Sequence, residues 1–189
     1  MIGYLSGTVI IRDDPQLIID VNGVGYKVNA TSDVLSSSKV GSPIKVFTYT
    51  HVREDILELY GFTKYSDLKL FESLICVSGV GPKTAIGVFA IGSSDQILQA
   101  ITDADTAFFS RVPRLGSKNA QKIIIELKSK VGGGSLNLSD GSNNNRSEVS
   151  AALKGFGFTS NEINEAVRNL DGSMSVEQQI KEALKSLGR

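Results

Sequence analysis

Along residues 1–62 the apolar and β-branched positions come in short runs broken by turn formers. Thr8-Val9-Ile10-Ile11 and Leu17-Ile18-Ile19-Asp20-Val21 flank Asp13-Asp14-Pro15, and Asn22-Gly23 gives a tight-turn signal before the alternating Gly25-Tyr26-Lys27-Val28-Asn29-Ala30. Ile44–Thr50 and Ile56–Phe62 complete five predicted strands, with a small helical insertion near Asp33–Ser38. Short strands, glycine turns and one helical insertion predict a small barrel of the OB type. A sandwich would show the same alternation, so periodicity leaves both open.

From residue 63 the spacing becomes helical. Tyr65, Leu68, Leu70, Phe71, Leu74 and Ile75 fall on one stripe, and Ile97, Leu98 and Ile101 on another. Residues 132–146 are dominated by Gly, Ser and Asn, which bury too little surface to offset chain entropy, so they read as a flexible linker. Helical spacing resumes over residues 147–189 in three short groups: Val149 and Leu153; Ile163, Val167 and Leu170; Val176, Ile180, Leu184 and Leu187. Ser160 and Ser175 read as N-caps, the second with Gln178 completing a capping box. The chain thus divides into a barrel (1–62), a helical domain (63–131), a linker (132–146) and a tethered three-helix bundle (147–189).

Within the helical domain one stretch repeats in degraded form. Shifting Gly79-Val80-Gly81-Pro82-Lys83 by 35 positions lays Val80 on Leu115, Gly81 on Gly116, Lys83 on Lys118 and Ala85 on Ala120. Each copy follows an apolar run and opens a second helical pattern, Thr84–Ala90 and Asn119–Val131. A helix, a Gly-apolar-Gly turn and a second helix offer a phosphate unpaired N–H groups at the favourable end of a helix dipole. Gly79 and Gly81 permit positive φ and close approach, Val80 points inward, Pro82 suits the first helical position, and Lys83 adds a charge. In the second copy Arg114 stands where the first has glycine, which predicts a looser or differently shaped turn. Arg114 itself can reach a phosphate, or be an idle surface residue. A helix-joining turn that binds nothing is the plain alternative for either copy. A nucleotide P-loop fails on spacing, because Pro82 stands where that loop requires glycine before its lysine.

Charge supports this only locally. The chain has 20 basic and 20 acidic side chains, so a general polycation is excluded. Residues 64–131 carry 9 basic and 6 acidic groups, a small excess on the segment with the two turns. His51 and Cys76 are each the one residue of their type, which removes disulfide frameworks, multi-histidine metal sites and His-based triads. Cys76 reads as a small buried thiol. No catalytic residue, metal or cofactor is expected. The first residues lack a basic leader and no run reaches the roughly 18 apolar residues of a membrane span, so a cytoplasmic location is expected, with no membrane partner. Asp103 and Asp105 admit one enzymatic alternative, a helix-hairpin-helix DNA glycosylase, though a base pocket is missing. Glu54-Asp55, in the turn before the last strand, read by themselves as an ordinary solvated acidic turn.

Taken in order, Met1-Ile2-Gly3, Asn22-Gly23-Val24-Gly25-Tyr26, Val52-Arg53-Glu54-Asp55, Leu59-Tyr60-Gly61-Phe62 and Ser78–Lys83 resemble the RuvA family along essentially the whole chain. These are DNA-binding subunits of the bacterial Holliday-junction branch-migration complex. The resemblance implies a multi-domain α+β fold: an OB-type barrel, a tandem helix-hairpin-helix domain, a flexible linker and a three-helix, UBA-like C-terminal bundle. It implies a homotetramer, sometimes doubled to an octamer, that holds a four-way junction open without reading sequence. Its partners would be the RuvB hexameric ATPase, where the ATPase activity lies, and a RuvC resolvase. Carried over by position, Gly79, Val80, Gly81 and Lys83 match the first phosphate-gripping hairpin, and Arg114, Gly116 and Lys118 fall in the second. Glu54 and Asp55 match an acidic pin at the junction centre, against the plain reading above. Leu153, Phe156, Phe158 and Leu184 match motor-contact positions, with the bundle's own core as the competing role for some of them.

Overall fold

The structure is a computed structural model that describes residues 1–132, 144–168, 170 and 174–188. The chain forms two compact units, Met1–Leu138 and Ser139–Arg189. In the first, strands β1 (Tyr4–Asp13), β2 (Gln16–Val21), β3 (Val24–Ala30), β4 (Pro43–Val52) and β5 (Leu57–Phe62) close into a barrel in the order β1-β2-β3-β5-β4. Closure decides between barrel and sandwich. β1 is shared, its first half pairing with β4 (Tyr4 opposite Phe47) and its second with β2 (Arg12 opposite Leu17), with a bulge between Val9 and Ile11. A strand serving two neighbours has to coil sharply, and Gly7 sits at the changeover. A Cβ there would run into the Asp20 carbonyl.

Asn22 and Gly23 both have positive φ, 52° and 88°, the conformation of a two-residue hairpin turn between β2 and β3. Helix α1 (Ser32–Ser37) follows β3 at the predicted insertion. The barrel interior is filled by Leu5, Val9, Leu17, Ile19, Val28, Val46 and Leu59, the inward positions of alternating strands.

Helices α2 (Tyr65–Ile75), α3 (Pro82–Ile91), α4 (Ser94–Thr102), α5 (Thr106–Ser110) and α6 (Ser117–Gly132) complete this unit. Phe71 of α2 is fully buried and meets the rings of Tyr49, Tyr60 and Phe62, which face away from the barrel interior. These aromatic contacts join barrel and helices into one packed body. Cys76 is exposed, contrary to the buried thiol expected: it ends α2, and the apolar stripe of that helix stops at Leu74 and resumes with Val77.

The second unit consists of α7 (Asn144–Gly155), α8 (Ser160–Arg168) and α9 (Val176–Ser186) around Val149, Leu153, Ile163, Ala166, Val167 and Ala183. Residues 133–143 of the predicted linker lie outside the described residues, while 144–146 are already helical. Ser175 and Gln178 form the expected capping box on α9. The cap of α8 falls one residue earlier than expected. Glu162 Oε2 accepts from both the N–H (2.8 Å) and the hydroxyl (2.7 Å) of Thr159, which leaves Ser160 inside the helix. Those two hydrogen bonds hold the Glu162 carboxyl below its ordinary pKa.

Candidate nucleic-acid interface

The two helix-hairpin-helix turns match hydrogen bond for hydrogen bond. In the first, Val77 N–H donates to Leu74 O (3.1 Å), Val80 N–H to Val77 O (3.0 Å) and Ala85 N–H to Gly81 O (2.9 Å). In the second, Val112 N–H donates to Phe109 O (3.0 Å), Leu115 N–H to Val112 O (3.1 Å) and Ala120 N–H to Gly116 O (3.1 Å). Val80 and Leu115, 4% exposed each, plug their turns into the common core. Gly79 has φ 89° and Arg114 φ 67°. The looser second turn expected from Arg114 is therefore not found. Arg114 adopts the left-handed conformation at a cost of about 1 kcal/mol, and burial of Leu115 at the next position holds it there.

Gly81 corrects a second expectation. Its φ is −95°, an extended conformation open to any residue, and a Cβ on it would meet nothing within 4 Å; the Gly116 Cβ would likewise meet nothing. The space beside these two glycines is outside the protein. The N–H groups of Gly79, Gly81, Arg114 and Gly116 have no acceptor among the described residues, and α3 starts from Gly81 without a side-chain cap. Uncapped helix starts with open space in front of them can receive an anion. Lys83, Arg114 and Lys118 are exposed around them. A shallow cleft of about 370 Å³ runs between the turns, lined by Lys83, Thr84, Gly87, Val112, Pro113 and Arg114.

The hairpins are also tied to each other. Asn119 Nδ2 donates to Gly79 O at 3.3 Å, and its side chain fills the place a Gly79 Cβ would take. The 35-position shift places Asn119 on Thr84, so the tie belongs to one copy only. Composition gave no signal for it.

On the barrel, Glu54 and Asp55 occupy the tip of the β4–β5 hairpin, closed by Arg53 N–H to Ile56 O (2.8 Å) and Ile56 N–H to Arg53 O (3.4 Å). Both carboxylates are exposed, and the flanking cross-strand pair Val52 and Leu57 is 66% and 71% exposed. Behind the tip, Glu58 Oε2 accepts from the Tyr60 hydroxyl at 2.7 Å, and Oε1 lies 3.6 Å from Lys83 Nζ. Burial first, then the Glu58 carboxylate, pushes the Tyr60 phenol well above its ordinary pKa. Sequence reading missed Glu58, because nothing in the spacing of residues 58 and 83 announces their meeting.

Asp103 and Asp105 have structural work. Asp105 Oδ1 accepts from Phe108 N–H (3.0 Å) and caps α5, and Asp103 Oδ2 accepts from Gln99 Nε2 (2.8 Å) at the end of α4. No group of His, Cys, Asp and Glu suited to a metal occurs among the described residues. Among them no helix is long and apolar enough to cross a membrane. In the second unit Leu153 is fully buried in the bundle core, Phe158 and Leu184 are half-buried against it, and Phe156 is 57% exposed. Of the four positions, Leu153 serves the bundle itself and Phe156 presents a large apolar surface.

The sequence that builds these elements has counterparts in known proteins. Residues 1–61 match the profile of the RuvA N terminal domain, 71–129 the SAM-like helix-hairpin-helix tandem, and 144–188 the RuvA C-terminal domain. The chain belongs to the RuvA family. Relatives named "Holliday junction branch migration complex subunit RuvA" match over nearly full length. The RuvA of Halothermothrix orenii is 39% identical, covering all of this chain and 98% of its own. That of Acholeplasma laidlawii is 37% identical over 97% of each. That of Legionella pneumophila is 36% identical, covering 99% and 98%. Family membership accounts for the order of barrel, paired hairpins and terminal bundle in a RuvA chain.

Proposed function

We propose that this chain is a non-catalytic subunit that binds four-way junction DNA independently of sequence, holds it open, and recruits the RuvB hexameric ATPase for branch migration. The observation that carries the reading is the pair of matched turns, each with unpaired N–H groups, open space beside a glycine and an adjacent cation. Contacts of this kind grip the sugar–phosphate backbone and carry no base information, which suits a protein across which DNA must move. Gly79, Gly81 and Lys83 form the first grip and Arg114, Gly116 and Lys118 the second. Val80, expected among the phosphate contacts, instead donates its N–H to Val77 O and buries its side chain, so it anchors the turn.

Backbone grips alone do not distinguish a junction from a duplex. Glu54 and Asp55 supply that distinction in this reading. A homotetramer, alone or doubled to an octamer, would gather four such tips at the crossover, where their charge repels phosphates and disfavours stacked arms. Substituting both with their amides (E54Q/D55N) is expected to keep or raise affinity for linear duplex while eroding the preference for a four-way junction. Anisotropy titrations against a junction and a duplex of equal length read the ratio, and an unchanged ratio would remove the pin.

The terminal bundle is assigned to the motor, with Phe156 as the exposed anchor and the half-buried Phe158 and Leu184 as further contact positions. RuvC resolvase is a further candidate partner on the same DNA. A chain ending at Gly132 is expected to bind junctions as the full chain does and to lose stimulation of RuvB ATP hydrolysis. Stimulation by the shortened chain would place the motor contact elsewhere.

A further inference from the structure

Below the acidic tip, β5 brings a fixed carboxylate against the first hairpin. Glu58 stands directly opposite His51 of β4. Its Oε2 is held by the hydroxyl of Tyr60, whose ring is 1% exposed and stacks on Phe71, so its orientation is set from the core outward. Its Oε1 faces Lys83 Nζ. The side chain of Glu58 is 28% exposed and that of Lys83 is 77% exposed: the anion is anchored and the cation is movable. Between them lies a cleft of about 220 Å³, lined by His51, Arg53, Glu58, Gly81, Lys83 and Thr84, open at the start of α3. The carboxylate thus engages the lysine beside the place where a backbone phosphate would meet the free N–H of Gly81.

We propose that Glu58 is an internal competitor for Lys83, occupying it in the free protein and yielding it when a DNA phosphate enters the first hairpin. The proposal rests on the hairpins being phosphate grips. On DNA binding Lys83 changes partner, from carboxylate to phosphate, while Glu58 stays in place on Tyr60. The net gain from that lysine is smaller than an unpaired lysine would give, because one ion pair is exchanged for another. The exchange is useful where DNA slides. A departing phosphate leaves the ammonium with an anion at hand, so each step along the backbone crosses a lower barrier. A purely structural ion pair between barrel and α3 predicts the opposite effect of removing Glu58.

The test is a double-mutant cycle on the full-length protein, read by anisotropy titration with a four-way junction and a duplex at several salt concentrations. Glu58→Gln keeps the shape and the tie to Tyr60 and is expected to tighten binding of both DNAs about two- to fivefold. Lys83→Ala is expected to weaken all sequences alike and to reduce the salt slope by about one. In the Lys83→Ala background, Glu58→Gln is expected to change nothing. Equal tightening in both backgrounds would overturn the competition, leaving only through-space repulsion. Unchanged or weaker binding by Glu58→Gln alone would also overturn it and mark the pair as structural. If Lys83→Ala itself alters neither affinity nor salt slope, the first grip fails, an outcome distinguishable from failure of the competitor alone.

Discussion

Replacing Gly81 and Gly116 together with glutamate is expected to leave the protein folded and to lower its affinity for DNA on the order of a hundredfold. Neither glycine is demanded by the protein's own packing. Gly81 has an ordinary extended φ, Gly116 is not in the left-handed region, and a Cβ on either projects into open space. A glutamate at these positions fills the space where a phosphate would lie and adds negative charge beside it. Thermal melting by circular dichroism would show the retained fold, and a junction titration the lost affinity. Wild-type affinity in a folded double variant would mean that the hairpins are only connectors. Gly79 is a poorer target for this experiment, because its φ of 89° and its contact with Asn119 would confound folding with binding.

Phe71→Ala is expected to destabilise the first unit by about 3–5 kcal/mol, a large share of the roughly 5–15 kcal/mol that holds such domains together. The ring is fully buried, with centroids of Phe62, Tyr49 and Tyr60 at 4.9, 5.4 and 5.5 Å. No neighbouring side chain is free to fill the cavity, since two of the three rings, Tyr60 and Phe62, are themselves almost inaccessible. Urea unfolding followed by circular dichroism measures the loss, with Phe71→Leu as the milder comparison. A loss below about 1 kcal/mol would place the barrel–helix junction outside the core of the unit. The same ring stack supports Tyr60 and, through it, Glu58, so a loosened stack also releases the carboxylate from its orientation.

Much of the fold was legible because it is written in short-range periodicity. Alternation with β-branched residues gave all five strands, and Asn22-Gly23 gave a hairpin whose turn requires two positive φ values. The shift that lays Gly81 on Gly116 marks both hairpin turns, which share the same backbone hydrogen bonds. It misjudged Arg114, because local conformational cost was weighed without the neighbour: burial of Leu115 exceeds the penalty at Arg114. It misjudged Cys76 for a related reason, since an apolar run says that a helix is buried but not which residue ends it. The cap on α8 moved to Thr159 because the hydroxyl and N–H of that residue reach one Glu162 oxygen together, a choice among adjacent candidates that spacing does not resolve.

Sequence by itself determined the kinds of elements, their order, the duplicated turn and the family, because each depends on residues near one another in the chain. Tertiary structure alone decided that the strands close through β1 and β4, that Asn119 ties one hairpin to the other, and that Glu58 faces Lys83. Those pairings join residues far apart in the chain, brought together by barrel closure and by the aromatic stack on Phe71. A carboxylate on a strand and a lysine on a helix carry no local mark of each other; only packing brings their charges within reach.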